Sequence, residues 1–506
     1  MKNYLLAHDL GTSGNKATLY SIDGELIDSC TVPYPTHYFN GNWSEQNPED
    51  WWKAICESSQ KLTAKIDASE IGVIALSGQM MGCTPVDKNG NALRPSILYS
   101  DQRATKQAEF LLEKIGQKTF YDIIGHRISP SYTLEKLMWI RDNEPELFKN
   151  TRYTLCAKDY INFRLTGEFA TDFSDASGTN AFDLNAFNWS SRIIETAQID
   201  ESLFPHAANS TEILGTITKE AAKATGLKEG TPVAIGGGDG SCAGVGVGCI
   251  KPGTAYNYLG SSSWIALTVE KPIVDEQMRT MNWAHCVPGY LHPSGTMQTA
   301  GSSHNWLKDT LCEPEKMIAE KSGQSPFVLI EDLIKQSPVG SNGVLFLPYM
   351  LGERTPWWNP DARGAFVGLN LASSRADMAR SVLEGITMNL GYIVNIFRQH
   401  VPIETITVIG GGAQSAFWRQ MMADIYDCKI ETLNFQEEAT SMGAAVIGGV
   451  GAGLLPGFEV INRFVKVIDS AEPNPENQKR YRQLQPIFEQ TYLSLKEVYG
   501  KLAAIN

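Results

Sequence analysis

The chain has 506 residues, of which 42% are hydrophobic and 20% charged, and its formal net charge is −13. This composition predicts a folded protein of two to four domains, at the usual ~150 residues each, and excludes an intrinsically disordered chain. The acidic balance argues against binding to nucleic acid or to an anionic membrane through a general positive field, so we predict neither partner.

The cysteines and the apolar segments indicate in which cellular compartment the protein is found. Nine cysteines stand singly, with no Cys-x-x-Cys pair, which is typical of a reducing compartment rather than of a disulfide framework or a zinc site. The apolar run at the N-terminus is too short for a signal peptide, and the apolar segment 442–455 is shorter than the ~18 residues of a membrane span. We therefore expect a soluble cytoplasmic protein, with a homodimer as a possible assembly.

A β-hairpin is predicted over residues 4–20. Its first strand runs into Asp9, and the chain turns through residues 11–14 before the second strand returns. The turn and the second strand carry two hydroxyls and one cation: Thr12, Ser13 and Lys16. A glycine-rich turn of this kind can wrap a polyphosphate with backbone N–H groups, although an ordinary hydroxyl-rich hairpin is the alternative. No P-loop motif is present.

Two further strands are predicted to end on polar or thioether side chains. The strand 71–76 is followed by Gln79, Met80 and Met81, and a second strand ends in the cluster 97–103, which contains Asp101. Ligands bind at the carboxyl ends of strands in open α/β sheets, so these residues are candidate ligand contacts. The alternative for the methionines is a role as core filler.

The segment 107–230 has a mostly helical pattern, and a triple-glycine segment follows it. A short buried strand, 233–235, leads into glycines 236–238, which predict a sharp turn close to a ligand. Asp239 stands at the mouth of that turn, before a helix predicted over 241–248. Its carboxylate is either the cap of that helix or a catalytic base, and the local sequence leaves both open.

The second half of the chain repeats both themes. Residues 253–267 predict another hairpin, whose glycine–hydroxyl turn contains Ser261. We interpret it as a degenerate repeat of the first hairpin, so that the two turns face each other across a cleft, although chance similarity is the alternative. A second triple-glycine segment follows the strand 406–409 and leads past Gly412 to Ala413, which leaves room for a flat ring or a phosphate.

The remaining elements of the second half are a loop and two helices. Helices are predicted over 374–398 and after residue 475. The loop 346–358 contains Glu353 and Arg354, for which we expect a structural role.

Four of these blocks together resemble the FGGY carbohydrate kinases, which belong to the actin-like ATPase superfamily. The blocks are 9–16, 131–143, 364–369 with 377–384, and the two triple-glycine segments at 236–239 and 410–413. The resemblance covers nearly the whole chain. It implies an α/β fold of two actin-like (ribonuclease H-like) ATPase domains with a central cleft. The expected domains are 1–248, for sugar and phosphates, and 249–506, for the nucleotide.

Within that family the chain is most similar to the xylulose kinases, through residues 77–80, 100–103, 158–160 and 172–178. The resemblance implies phosphorylation of a ketopentose, D-xylulose first, by ATP with Mg²⁺. It also implies a role for each candidate residue: Asp239 as general base, Asp9 with Asp239 for Mg²⁺, Thr12, Ser13, Lys16 and Ser261 for the phosphates, Gly412 and Ala413 for the adenosine, and Gln79, Met80, Met81, Asp101 and Asp239 for the sugar.

Two residues depart from the xylulose kinase pattern. Met81 stands where those enzymes usually have His, and Gly240 stands where they usually have Asn. Because lost hydrogen-bond partners can shift specificity strongly, another pentulose or polyol (ribulose, L-xylulose or an erythritol-like compound) is an alternative acceptor. Alternatives of another class are an actin-like ATPase that acts on protein partners and an inactive sugar sensor.

Overall fold

Two six-stranded sheets organise the chain, one built from strands that end by Gly238 and one from strands that begin at Ala255. The computed structural model describes residues 2–435 and 437–505. The strands are β1 (Tyr4–Leu10), β2 (Gly14–Ser21), β3 (Leu26–Pro33), β4 (His37–Phe39), β5 (Trp43–Gln46), β6 (Ile71–Gly78), β7 (Thr84–Val86), β8 (Ser96–Ile97), β9 (Tyr153–Leu155), β10 (Ala170–Asp172), β11 (Phe182–Asp183), β12 (Asn188–Trp189), β13 (His206–Ala208), β14 (Ile213–Thr216), β15 (Pro232–Gly238), β16 (Ala255–Leu259), β17 (Ser263–Leu267), β18 (Ser294–Met297), β19 (Leu345–Leu347), β20 (Ala365–Val367), β21 (Thr405–Ile409), β22 (Lys429–Leu433) and β23 (Val467–Ala471).

Helices connect and cover these strands. They are α1 (Pro48–Thr63), α2 (Thr105–Ile115), α3 (Gln117–Ile124), α4 (Thr133–Asn143), α5 (Pro145–Asn150), α6 (Ala157–Thr166), α7 (Phe173–Ser177), α8 (Ser191–Thr196), α9 (Lys219–Thr225), α10 (Asp239–Gly246), α11 (Gly301–Leu311), α12 (Glu313–Ser322), α13 (Pro326–Ile334), α14 (Arg375–Arg398), α15 (Ala416–Tyr426), α16 (Ala439–Gly451), α17 (Ile461–Phe464) and α18 (Pro475–Ala503). No helix in the described part of the chain is both long and apolar enough to cross a membrane.

The two sheets share one arrangement of strand directions, although the outermost strand β14 precedes its neighbour β15 in the chain and β23 follows its neighbour β22. The first has the order β14-β15-β6-β1-β2-β3, in which β1, β6 and β15 are parallel to one another. The second has the order β18-β17-β16-β21-β22-β23, in which β16, β21 and β22 are parallel. In each sheet an antiparallel three-strand meander precedes the parallel strands, and an antiparallel strand closes the far edge. The predicted fold of two similar α/β halves, each opened by a hairpin, is confirmed.

The register of the first sheet sets where the polar strand ends lie. Asp9 pairs with Ser77 between β1 and β6, and Gly238 pairs with Gly78 between β15 and β6. Because parallel strands end at the same edge, Asp9 and the residue after Gly238 come to one edge of this sheet. That edge therefore carries both carboxylates that the sequence singles out.

Helices α10 and α16 join the two halves through unusually close packing. A Cβ added at Gly246 would lie 1.7 Å from the carbonyl oxygen of Ala439, and one added at Gly443 would lie 1.8 Å from that of Cys242. Only glycine permits this approach of two helix backbones. Helix α16 also packs on β1 and β6, so a helix of the second half covers the first sheet.

Three sequence predictions differ from the structure. The chain does not turn at glycines 236–238, because β15 continues to Gly238 and only bulges at Gly236, whose φ is +75°. The segment 97–103 does not follow a strand of the open sheet, since β8 has two residues and belongs to a small antiparallel sheet with β4 and β5. The segment 107–230 holds the short strands β9–β14 beside its helices.

The bulge at Gly236 generates a stability prediction. A Cβ at this position would lie 1.9 Å from the carbonyl oxygen of Leu76, in addition to the positive φ. We expect Gly236→Ala to lower the free energy of unfolding by about 3 kcal/mol or more. Gly230→Ala is the matched control, because its φ is +83° but no atom lies within 4 Å of the added Cβ, so it should cost only about 1 kcal/mol. The free energy of unfolding of both variants is measured by thermal and by urea unfolding. If Gly236→Ala and Gly230→Ala lose the same amount, this account is contradicted.

Candidate active site

Asp239 is the first residue of α10, and Gly238 occupies the capping position. The alternative that Asp239 caps this helix is therefore wrong. One of its carboxylate oxygens accepts a hydrogen bond from the Gly240 N–H at 2.7 Å, and the side chain lines a cavity. Burial and then the nearby charge of Asp9 raise the pKa of Asp239 to about 7. A carboxylate with this pKa is suited to accept a proton near neutral pH.

Asp9 lies at the end of β1, partly exposed at the same edge of the sheet. Its carboxylate accepts a hydrogen bond from the Ser77 hydroxyl at 3.2 Å. Burial raises the pKa of Asp9 to about 6, and the Ser77 hydroxyl and Lys16 oppose that rise. Two carboxylates that are close enough to interact, with raised pKa values, form a site that a hard cation would stabilise.

Lys16 is held by the second half of the chain. Its ammonium group lies 2.8 Å from the carboxylate of Glu438 and donates to the carbonyl oxygen of Glu437 at 3.2 Å. Glu438 stands directly before α16, so this ion pair bridges the two halves beside Asp9. Sequence reasoning did not identify Glu438, because only the fold brings it to Lys16.

The first cavity has a volume of about 740 Å³ and lies between the two halves. Thr12, from the turn of the first hairpin, and Ser262, from the turn of the second, both line it together with Asp239. The two glycine–hydroxyl turns therefore face one crevice, as the sequence predicts. Three more of the predicted residues line this cavity: Gln79, Met80 and Met81.

Three residues of the lining carry a buried polar atom that has no partner in the described part of the chain. The Gln79 side-chain oxygen, the His292 Nδ1 and the Thr296 hydroxyl are buried and have no hydrogen-bond partner in the described part of the chain. All three residues line the cavity. Because these atoms are themselves closed off from solvent, a ligand in the cavity would pair with them only after the side chains reorient.

A hydrophobic wall closes the cavity on another side. Tyr132, Met281 and Trp283 form a buried cluster against which Met80 and Met81 pack. The two methionines therefore pack as core filler, which was the alternative to ligand contact, and they also line the cavity. The wall contains residues from both halves, which sequence reasoning could not join.

A second cavity, of about 700 Å³, adjoins the first at the turn of the second hairpin. Gly260 and Ser261 line the second cavity, whereas Ser262 and Ser263, next in the chain, line the first. Gly412, Phe327 and Trp418 also line the second cavity, which combines a glycine-rich edge with aromatic surface. This combination of a glycine-rich turn and aromatic surface suits a molecule that carries a flat ring and phosphates.

Other predicted residues lie outside the lining of both cavities. Asp101 is fully buried, and its carboxylate is bound by the Arg103 guanidinium, at 2.8 and 2.9 Å, and by the Ser44 N–H at 2.6 Å. Ala413 is fully buried as well. Ser13 is exposed, in the turn of the first hairpin. Asp9 and Lys16 also lie outside both linings. Ligand contacts by all the candidate residues stay predictions, and Asp101 would need to act through its neighbours Ser100 and Gln102, which do line the first cavity.

A buried polar network supports the start of α10. The Gly238 N–H donates to the Ser174 hydroxyl at 2.8 Å, and that hydroxyl donates to Asp172 at 2.5 Å. Asp172 is in turn 2.9 Å from the ammonium group of Lys158, which also pairs with Asp159 and Asp175. The residue before Asp239 is thus fixed by a charged network, which orients the carboxylate towards the cavity.

Comparisons with known proteins match both halves. The N-terminal domain model of the FGGY family of carbohydrate kinases matches residues 4–246, and the C-terminal domain model matches residues 255–452. The chain is 34% identical to a xylulose kinase of Staphylococcus epidermidis, over 100% of both proteins. It is 30% identical to a gluconokinase of Bacillus subtilis, over 99% of this chain and 98% of that protein.

Solved structures give the same two kinds of relative. A ligand-bound xylulose kinase from Lactobacillus acidophilus superposes with a TM-score of 0.91 at 28% identity, over 99% of both chains. A gluconate kinase from the same organism superposes with a TM-score of 0.92 at 28% identity, also over 99% of both chains.

The raised pKa of Asp239 predicts a stability effect. Its pKa is about 7 in the fold and 3.8 by its ordinary value, so the folded state holds the proton more tightly than the unfolded state. The free energy of unfolding therefore falls as pH rises from about 4 to 7, and the loss persists above pH 7. Asp239→Asn removes this cost, and we expect its gain in melting temperature over the wild type to be larger at pH 8 than at pH 5 in metal-free buffer. If the melting temperature of Asp239→Asn exceeds that of the wild type by the same amount at both pH values, the raised pKa assigned to Asp239 is refuted.

Proposed function

Because the chain belongs to the FGGY family of carbohydrate kinases, we propose that this ATP-dependent sugar kinase phosphorylates a ketopentose, with D-xylulose as an acceptor and Asp239 as the general base. The observation that carries the proposal is the position of Asp239. Its carboxylate lines the first cavity at the place where the turns of both hairpins meet. The turn of the second hairpin also borders the second cavity.

The reaction needs alignment and charge stabilisation more than covalent participation of the protein. The acceptor hydroxyl attacks the terminal phosphorus of ATP, and the bond from that phosphorus to the bridging oxygen of ADP breaks. Asp239 accepts the hydroxyl proton as the new O–P bond forms. The products are the sugar phosphate and ADP, and the proton passes from Asp239 to solvent.

The charged and hydroxyl groups around Asp239 suit the phosphates. Thr12 and Ser261 would offer hydroxyl and backbone donors from opposite turns. Lys16 would exchange its contact with Glu438 for a phosphate oxygen. Asp9 and Asp239 fit Mg²⁺ because they are hard oxygen ligands whose pKa values are raised in its absence, and Asp9 would hold it. Mg²⁺, when bound, neutralises charge on the phosphates.

The first cavity supports an open-chain polyhydroxy acceptor. Gln79, His292 and Thr296 bring polar side chains to the lining, and the wall around Trp283 offers an apolar face. The xylulose kinase relatives favour D-xylulose, whereas Met81 and Gly240 remove two polar groups that those enzymes usually present. Gly240 would leave open space, since an added Cβ would meet only His292, at 3.8 Å.

An ATPase that acts on protein partners is the weaker proposal. Both halves match carbohydrate kinase models over most of their length. The catalytic carboxylate also lines a cavity sized for a small molecule rather than an open protein-binding surface.

The acceptor proposal is tested by following ADP release with ATP and Mg²⁺ across ketopentoses, pentitols, tetritols and sugar acids. We expect D-xylulose to raise turnover far above the rate without acceptor, and mass spectrometry to detect a sugar monophosphate. If no sugar raises ADP release, the kinase proposal fails. If a protein partner raises it instead, the ATPase alternative gains support.

The role of Asp239 is tested by substitution. Asp239→Ala should lower kcat by about 10²–10⁴-fold, because it removes the proton acceptor. Binding of ADP, measured by calorimetry, should change by less than about threefold because the second cavity is untouched. Asp183→Ala, at an acidic residue of the β11–β12 hairpin, is the control and should keep wild-type kcat. Retention of full activity by Asp239→Ala would remove the general base from the mechanism.

A further inference from the structure

Lys136 is a fully buried cation that forms no ion pair with a carboxylate within residues 2–435 and 437–505. Its ammonium group donates instead to two backbone carbonyl oxygens, that of Met81 at 3.0 Å and that of Ser131 at 2.5 Å. Lys158, which is as deeply buried, binds three carboxylates. Burial lowers the pKa of Lys136 to about 8, so the group keeps most of its charge at pH 7. Because it is costly to take an ammonium group out of water without a counterion, ordinary packing does not account for this lysine.

Both carbonyl groups that Lys136 binds belong to segments that border the first cavity. Residues 79–82, which we call the acceptor loop, contribute Met81 to the lining, and residues 129–132 contribute Ser131. Helix α4 begins directly after the second of these segments, and Lys136 is its fourth residue. One ammonium group therefore joins two segments that approach the cavity from different parts of the chain.

The acceptor loop contains a strained residue at the point where Lys136 binds it. Met81 has a φ of +64°, a left-handed conformation that is unfavourable for a residue with a bulky side chain. Such a conformation persists only where the surroundings fix it. Thr133, three residues before Lys136 on α4, donates from its hydroxyl group to the next carbonyl oxygen, that of Gly82, at 3.1 Å. Two consecutive carbonyl groups of the loop are thus held by one turn of a helix.

The acceptor loop also packs against the strand end that carries the proposed base. A Cβ added at Gly238, directly before Asp239, would lie 2.7 Å from the Met80 side chain. A Cβ added at Gly178 would lie 3.2 Å from Met80 and 3.6 Å from Met81. The position of the loop therefore sets one wall of the cavity and the distance between that wall and the Asp239 carboxylate.

We propose that Lys136 is a positioning residue for the acceptor, which holds residues 79–82 in the binding conformation, with Met81 in its left-handed backbone, before the acceptor binds. Lys136 itself lines neither cavity, so it acts through the loop. This inference rests on the proposed binding of the acceptor in the first cavity. Without the ammonium group the loop would relax, and the acceptor would bind only the fraction of molecules in which the loop is ordered.

Lys136→Met tests this role, because it keeps an unbranched side chain of similar length and removes the charge and the donors. We expect the KM for D-xylulose to rise about 10–100-fold, as for the loss of a charge-assisted hydrogen bond. At saturating D-xylulose the loop is ordered again, so kcat and the KM for ATP should change by less than about threefold. ADP release at pH 7 gives these constants. Amide hydrogen exchange across residues 79–83, followed by mass spectrometry, should be faster in the variant whether or not it turns over.

Ile140→Ala is the matched control for a general loss of stability. Ile140 is fully buried one turn later in the same helix, and its side chain donates no bond to the acceptor loop. This variant should have a lower melting temperature, but its KM for D-xylulose and its exchange across residues 79–83 should match the wild type. If Lys136→Met does not fold, Thr133→Val removes only the neutral bond to Gly82 and should raise the KM for D-xylulose by about 3–10-fold.

Met81→Gly tests whether Lys136 acts through the strained backbone. Glycine adopts a positive φ without strain, so the loop of this variant needs less support. Lys136→Met should therefore raise the KM for D-xylulose by a factor about threefold smaller, or less, in the Met81→Gly protein than in the wild type. The KM values of the wild type, both single variants and the double variant measure this coupling. If the two substitutions multiply KM independently, the proposal is overturned.

The outcomes separate this inference from the proposed function. If the wild type phosphorylates D-xylulose and Lys136→Met changes neither the KM nor the exchange across residues 79–83, the positioning role is overturned and the kinase proposal stands. Equal rises of KM in Lys136→Met and Ile140→Ala also overturn it, because the effect would then come from lost stability. If no sugar is phosphorylated, but Lys136→Met weakens D-xylulose binding in calorimetry and speeds exchange across residues 79–83, the positioning role is supported and the proposed reaction is rejected.

Discussion

The parallel register of β1, β6 and β15 is the constraint on which the site depends. It ends these strands at one edge of the first sheet, so that Asp9 and Asp239, far apart in the chain, come close enough for the charge of one to raise the pKa of the other. The Gly236 bulge lets β15 keep this register, since any side chain there would meet the Leu76 carbonyl group. A geometric requirement of the backbone thus fixes the electrostatics of the site.

The second half contributes a matching set of groups across the crevice. Its hairpin turn places hydroxyl-bearing residues opposite those of the first turn and lies between the two cavities. The contact between α10 and α16 and the Lys16–Glu438 ion pair hold the halves together beside these turns. The proposed reaction between a nucleotide and a small polyhydroxy molecule would use this arrangement, with one molecule in each cavity and the reacting atoms meeting at the shared turn.

Much of this arrangement follows from local sequence. The hairpins and the long helix that begins after Ser374 were predictable, because each depends on residues close together in the chain. Gln79, Thr12 and Asp239 were predictable as cavity residues because each follows the end of a predicted strand, where open α/β sheets bind ligands.

Contacts between distant segments were not predictable. Glu438 reaches Lys16, and His292 reaches the wall beside Gly240, only through the tertiary fold. The course of β15 through Gly236 was mistaken for a turn, because a glycine triplet has the same local signature in a bulge. Asp101 was assigned to the sugar, which stays a prediction, and the local pattern did not reveal that its carboxylate is buried against Arg103 and the Ser44 N–H.

The most direct test of the central claim is a crystal structure with an acceptor sugar and a non-hydrolysable ATP analogue bound together. The account predicts the acceptor's reacting hydroxyl within hydrogen-bond distance of the Asp239 carboxylate, with the terminal phosphate of the analogue between the two hairpin turns. An acceptor bound away from Asp239, or a nucleotide whose phosphates point away from the shared turn, would contradict it.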